Sequence, residues 1–353
     1  MKQDIHALAQ RLKRVPAGTV QIISESGCVP RQAQTKGKGI IEPYAVFDGV
    51  MLEYNCFQGG SVRFTHRPLP HVLEINYCHQ GRVGWDMKSG STVYLGAGDL
   101  AMQPMDCCAD SLMRFPSGWY MGIQITVDFS AISPRLSAIL ERNGIQIPAA
   151  AVQQQRIGHI ALRRTHRHCK GRGRDLRHLI AAVAQGFGLT DQARPGKRHA
   201  DRQPLFHRAS ISPFLHQIKI MELFAYLAEL DPTQQKAVSE WNTEQTAIIQ
   251  QMHDFLIDHV QQRYTIEELS HRFLINTSTL KSAFKAVYGM PIAAYMKEYR
   301  MQQAMIMLQD PALSIAEIAA RLGYESQSKF ARAFKDCAGI LPRDYRKTLQ
   351  TKQ

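Results

Sequence analysis

Near the C-terminus, apolar residues recur at helical spacing in two runs of the same design. Ile266, Leu269 and Phe273 make one stripe, and Ile315, Ile318 and Leu322 make the other, each a single helix face wide. Thr265 stands before Glu268 as Ser314 stands before Glu317, the capping-box spacing that opens a helix. A second helix is predicted after each. Asn276 and Ser326 suit its N-cap. Leu280, Phe284 and Val287 supply its buried face in the first run, Phe330 and Phe334 in the second, and Gly289 and Gly339 end it. Gly323 marks a left-handed turn between the second pair, whereas Leu274-Ile275 leaves the first turn less obvious. Between the runs, 291–308 reads as one long helix. Pro291 suits its first turn, and Tyr295, Met296, Tyr299, Met301, Ala304, Met305 and Leu308 line its buried face.

Two short helix pairs on a rod are the expected form of paired helix-turn-helix units. A rod of about eighteen residues at ~1.5 Å rise spans roughly 27 Å, enough to hold two second helices near one DNA turn, ~34 Å, apart. In such a unit the exposed N-terminal face of the second helix reads base edges. The exposed positions nominate Ser278, Lys281 and Ser282 in the first unit and Gln327, Ser328 and Arg332 in the second. Arg or Lys pairs with guanine and Gln with adenine in the major groove. Lys285, Lys329, Lys335, Arg343 and Arg346 read as phosphate neighbours, which set register rather than sequence.

Three motifs carry a family resemblance: Ile315-Ala-Glu-Ile-Ala-x-x-x-Gly323-Tyr-x-Ser-x-Ser-x-Phe330-x-Arg-x-Phe334-Lys, then Gly339-x-x-Pro342-x-x-Tyr345-Arg346, and the earlier echo Gly289-x-Pro291. Over 243–347 the chain resembles the AraC/XylS family of transcriptional regulators. The resemblance supports the base-contact positions and implies a promoter DNA partner. It also implies activation through RNA polymerase as the commoner mode, with repression open.

The N-terminal half has a different period. From about 40 to 127, short apolar runs alternate with turn residues, the mark of a small β-barrel or sandwich. Strands are expected over 72–78, 83–87, 92–95 and 119–127. His79-Gln-Gly81 and Ser89-Gly90-Ser91 would be turns between them. Gly96-x-Gly98-Asp99 before Leu100 resembles the turn of cupin-type sensor domains. Cupin enzymes hold a metal with histidines, but the candidates His66, His71, Glu74 and His79 lack a His-x-His pair, so no metal and no cofactor are expected. A small effector among apolar and aromatic groups is expected instead, with Tyr77, Trp85, Tyr94 and Met102 as its weakly nominated contacts.

Composition changes this picture in one place. The 353 residues carry +13 net charge and are 44% hydrophobic, a globular composition of two or three domains. The positive charge is concentrated in 149–210, where thirteen Lys plus Arg stand against three Asp, a net of +10. The DNA-binding region, 253–353, has fourteen against ten, a net of +4. The atypical segment lacks glutamate. It reads as a basic linker or, the favoured alternative, as a stretch out of frame, since family members have ordinary helical sequence there. The remaining connector, 213–242, holds an apolar helix at 214–230, which the family resemblance implies serves dimerisation or domain packing and which otherwise reads as a core helix of the N-terminal domain. Seven scattered cysteines, Cys28, Cys56, Cys78, Cys107, Cys108, Cys169 and Cys337, fit no zinc spacing and read as reduced thiols. Adjacent Cys107-Cys108 is a weak redox-sensor candidate. Neither a membrane span nor a signal peptide is expected, which points to a cytoplasmic protein.

The expected architecture is α+β. A cupin-like β-barrel over 1–148 is followed by the atypical segment 149–212, the connector 213–242, and an all-α domain of two helix-turn-helix units over 243–350. The expected function is an effector-responsive, sequence-specific DNA-binding regulator, not an enzyme, with a homodimer as a further partner state. The rival readings are a cupin-type metalloenzyme, an alkyl-accepting repair protein and a nonspecific nucleic-acid binder.

Overall fold

The computed structural model describes residues 11–22, 32–65, 69, 71–108, 112–142, 160–162, 213–229 and 241–350. The chain divides into two compact units, the second containing 243–353.

The first unit is built on strands β1 (Thr19–Ile22), β2 (Gln32–Thr35), β3 (Lys38–Phe47), β4 (Val50–Gln58), β5 (Ser61–Thr65), β6 (Val72–Asp86), β7 (Ser91–Gly96), β8 (Leu100–Pro104), β9 (Leu112–Arg114), β10 (Trp119–Asp128), β11 (Ile160–Leu162) and β12 (Trp241–Asn242). One layer runs β1-β3-β4-β10-β6-β8-β11, and the facing layer runs β12-β7-β6-β9-β5-β2. β6 belongs to both, so the layers join into a barrel-like sheet. Helices α1 (Pro134–Arg142) and α2 (Pro213–Glu229) contribute to the core on the outer face of the first layer. Leu136, Leu140, Ile220, Leu223 and Phe224 meet Ile40, Leu52, Tyr54, Ile75 and Ile123 there. A second core between the layers holds Ile41, Phe57, Val62, Val83, Trp85, Val93, Leu95 and Tyr120.

β6 corrects one expectation. His79-Gln-Gly81 does not end a strand; β6 runs through it for 15 residues. Gln80 faces Met121 while Cys78 faces Gly122, leaving His79 as the extra residue of a bulge. A bulge bends a strand and reverses which parity faces inward. Before it, β6 pairs with β8; after it, with β7.

The connector helix 214–230 exists as α2. Its buried residues are His216, Ile220, Leu223, Phe224 and Leu227, whereas Phe214 and Ile218 lie exposed. This is the arrangement of a helix packed on the barrel's core. Residues 230–240 of the connector lie outside the described residues, as does all of 149–212 except β11. Ile160–Leu162 of that segment pairs with Leu100–Met102.

The second unit comprises α3 (Thr243–Asp258), α4 (Ile266–Arg272), α5 (Thr277–Tyr288), α6 (Ile292–Met307), α7 (Ile315–Arg321), α8 (Gln327–Ala338) and α9 (Pro342–Gln350). The two helix pairs are α4–α5 and α7–α8, and α6 joins them. Leu269 and Phe284 are buried in the first pair, Ile318, Phe330 and Phe334 in the second. The rod α6 buries Met296, Met301 and Ala304.

Candidate nucleic-acid interface

Each helix pair is set by the same local chemistry. Thr265 Oγ1 accepts from the Glu268 backbone N–H at 3.1 Å, and Glu268 Oε2 accepts from the Thr265 N–H at 2.7 Å. Ser314 and Glu317 repeat this pair at 3.1 and 2.7 Å. The hydrogen bonds from Ser314 hold the exposed Glu317 carboxyl below its ordinary range. Asn276 Oδ1 accepts from Thr279 N–H at 2.7 Å, and Ser326 Oγ from Lys329 N–H at 3.2 Å. These caps satisfy donors that a helix start leaves unpaired. Gly289 and Gly339, at φ 84° and 76°, close α5 and α8 in the left-handed conformation.

The turns between the paired helices are cognate despite different sequences. Leu274 adopts φ 51°, the described non-glycine residue with positive φ, and Gly323 holds the matching place at φ 72°. Gly323 is doubly constrained, since a Cβ there would lie 2.1 Å from the Gln261 carbonyl oxygen. Leu274 instead points outward, 93% exposed.

Two arginines hold the frame. Arg300 of α6, 8% exposed, donates through Nε to Val260 O and through Nη2 to Gln262 O, both at 2.9 Å. Burial lowers its pKa from the ordinary value, with Arg263 acting in the same direction. Arg346 of α9 donates through Nε to Leu308 O at 3.3 Å and through Nη2 to Leu313 O at 2.7 Å. Each guanidinium thereby pins the chain that enters a helix pair. Arg346 is therefore a structural tie, with Nε and Nη2 engaged by backbone carbonyls.

The other nominated residues lie on the surface. Ser278, Lys281, Ser282 and Lys285 are exposed on α5; Gln327, Ser328, Lys329, Arg332 and Lys335 are exposed on α8; and Arg343 is exposed on α9. Ser282 Oγ donates to Ser278 O at 2.7 Å. Lys329 is ion-paired with Glu325 one turn earlier, which weakens its call on a phosphate. No acidic residue occurs in α5, whereas α8 contains Asp336, 4.0 Å from Lys297. The α5 face is thus the more uniformly positive. An exposed cationic face at the N-terminal end of each second helix is the geometry that enters a major groove.

The barrel interior differs from its sequence reading. Of Tyr77, Trp85, Tyr94 and Met102, Trp85 lines a cavity of about 50 Å³ among the described residues, and the other three are not in its wall. Tyr77 and Met102 join the core beneath α1 and α2. Tyr94 lies over Gly84, where a Cβ would meet its ring at 2.3 Å. The cavity wall carries Glu74, weighed in the sequence only as a metal ligand, and polar side chains that the sequence reading did not nominate: Glu53, Asn55, Asn76, Gln103 and Gln124. Their alternation with apolar residues along β4, β6 and β10 was the available signal. His71 pairs with Asp128 at 3.5 Å, and the His79 Nε2 is buried; His66 lies outside the described residues. Among the described residues no three metal-ligating groups converge. Cys107 and Cys108 are half-buried beside this wall, where Gln103 Nε2 donates to Cys108 Sγ at 3.2 Å. A hydrogen bond with Cys108 lowers the Cys107 pKa.

A family model described as a helix-turn-helix domain matches residues 269–348. That match spans both helix pairs and the rod between them. Residues 269–348 form an AraC-type helix-turn-helix domain. The chain is 26% identical over 141 residues to the Msm operon regulatory protein of Streptococcus mutans, covering 40% of this chain and 50% of that protein. It is 43% identical over 67 residues to the F1 operon positive regulatory protein of Yersinia pestis, covering 19% and 22%. It is 31% identical over 97 residues to the transcriptional activator RhaR of Yersinia pseudotuberculosis, covering 26% and 33%. The chain thus spans at most half the length of these curated relatives. Among solved structures, ToxT from Vibrio cholerae aligns over 84% of this chain and 98% of its own at 10% identity and a TM-score of 0.27, too slight a likeness to carry any inference.

Proposed function

We propose that this chain is a sequence-specific DNA-binding regulator of transcription whose barrel binds a small effector. The AraC-type domain reads double-stranded promoter DNA through α5 and α8, and the occupied barrel alters that reading. The carrying observation is the duplicated frame: two N-capped second helices, each with an exposed cationic face. Lys281 and Arg332 make base contacts, Ser278, Ser282, Gln327 and Ser328 share the reading faces, and Lys285, Lys335 and Arg343 hold phosphates. The relatives named as positive regulators and activators support activation, with RNA polymerase as the partner. The exposed Phe214 and Ile218 of α2 suit a homodimer contact.

The competing account is nonspecific attraction to DNA. Nonspecific binding follows counterion release alone, so it has a steep salt slope and no sequence preference. The proposal predicts that DNA flanking the protein's own gene competes at least about a thousandfold better than random duplex at matched salt. Equal competition across salt concentrations overturns it.

A further inference from the structure

Cys107 and Cys108 are adjacent in sequence, and the fold brings their sulfurs together. In a regular strand successive side chains point to opposite faces. Here Cys107 ends a 3-10 turn, Met105–Cys107, and Cys108 follows it in extended conformation at φ −73° and ψ 139°. With the backbone changing at that junction, both side chains pack half-buried against the same core, that of Trp85 and Val93. The backbone is braced at both residues. Lys88 N–H donates to Cys107 O at 2.9 Å, and Cys108 bridges Met87 antiparallel.

A chain of hydrogen bonds sets the two thiols. Trp85 Nε1 donates to Gln103 Oε1 at 2.9 Å, which fixes the buried carboxamide with its Nε2 donating to Cys108 Sγ at 3.2 Å. Cys108 is in turn hydrogen-bonded to Cys107, and Cys107 Sγ donates to Pro104 O at 2.9 Å. The bond from Cys108 holds the Cys107 thiol below its ordinary pKa, against burial and the nearby Asp106 and Glu74. A thiolate is the reactive form of cysteine. Cys56 and Cys78 are the opposite case. They stand on β4 and β6 with β10 between them, and burial pushes both thiols up, Cys56 to about 12.

The pair restricts its ligand. Zinc takes three or four protein ligands, and among the described residues no third metal-ligating group joins the pair. A linear two-coordinate soft ion needs its sulfurs on opposite sides, whereas two thiols in a mutual hydrogen bond lie on one side. A pyramidal centre with two exchangeable positions fits that arrangement, and trivalent arsenic bearing one organic group is such a centre. We infer that Cys107 and Cys108 form a two-sulfur site for a monosubstituted trivalent arsenical. With the hydrated form R–As(OH)₂, two S–H and two As–O bonds break, two As–S bonds form, and two waters leave. Arsenic stays trivalent throughout, so no oxidant or reductant enters. Because both thiols are half-buried rather than enclosed, the arsenic reaches them from solvent. The site is independent of the effector reading above.

The test treats the reduced full-length protein with one equivalent of phenylarsine oxide, then with excess mercaptoethanol, a monothiol. Iodoacetamide and peptide mass spectrometry then report which cysteines stay protected. Cys107 and Cys108 are expected to be protected together, and dithiothreitol, a dithiol, to release both. Two sulfurs held side by side tighten capture by roughly a hundredfold or more over one. Cys107→Ser and Cys108→Ser should each lose retention against the monothiol by that factor, while a protein with Cys28→Ala, Cys169→Ala and Cys337→Ala should keep it. The protection pattern needs no variant, so it decides the matter even if a serine variant fails to fold. Alkylation of Cys107 or Cys108 that the arsenical leaves unchanged overturns the inference. So does removal of the arsenical by the monothiol, or its retention on Cys28, Cys169 or Cys337 instead.

Discussion

Leu274 and Gly323 do the same backbone work with opposite side-chain consequences. An L-residue in the left-handed region costs about 1–2 kcal/mol, and Leu274 bears that cost while its side chain stays 93% exposed. Leu274→Gly should therefore stabilise the protein by about 0.5–1 kcal/mol, the relieved strain less glycine's added chain entropy. Gly323→Ala should destabilise by at least about 2 kcal/mol, because the new Cβ adds a clash to the strain. Urea denaturation checks both; a destabilised Leu274→Gly variant would remove the strain argument. The paired arginines near the C-terminus separate in the same way. Arg346→Ala should lower stability by about 1–3 kcal/mol, since it strips donors from the Leu308 and Leu313 carbonyls, and should leave the salt slope of DNA binding unchanged. Arg343→Ala should leave stability alone and reduce that slope by about one. A slope change in Arg346→Ala at intact stability would return it to the phosphate contacts.

At the scale of elements, the helices were far more legible than the barrel's interior. Caps and stripes are local, so Thr265, Asn276, Ser314 and Ser326 announced helix starts that the structure contains. Strand facing depends on parity, and one extra residue reverses it. Tyr77 and Trp85 are eight positions apart and would share a face in a regular strand. The bulge at His79 sends Tyr77 toward the helices and Trp85 into the cavity. The cavity's polar wall was missed because its lining was sought among aromatics rather than among buried polar side chains. The α2–barrel junction carries a pH dependence of its own. His216 is buried, with Nε2 3.4 Å from Tyr54 Oη and its ring 5.1 Å from that of Tyr44. Burial lowers its pKa from the ordinary 6.5. The unfolded chain then binds the proton more readily, so this contribution to stability is complete above about pH 6.5 and is lost as pH falls toward the folded pKa. The thermal midpoint of the barrel unit should drop through that window, and His216→Phe should flatten the drop. An unchanged profile in that variant would assign the dependence elsewhere.

For the whole molecule, charge is a poor guide to the interface. Most of the +13 comes from 149–210, whose side chains lie outside the described residues, whereas the AraC-type domain is only mildly basic. Specific reading therefore depends on where a few cations stand rather than on their number. The central claim is that Lys281 and Arg332 each read bases in a groove of one duplex. The direct measurement is a footprint of the full-length protein on the DNA flanking its own gene, with Lys281→Ala and Arg332→Ala alongside. The account predicts a discrete protected site of about two helical turns, with protection lost over a different half in each variant or over the whole site in both. Diffuse protection indifferent to both substitutions would contradict it.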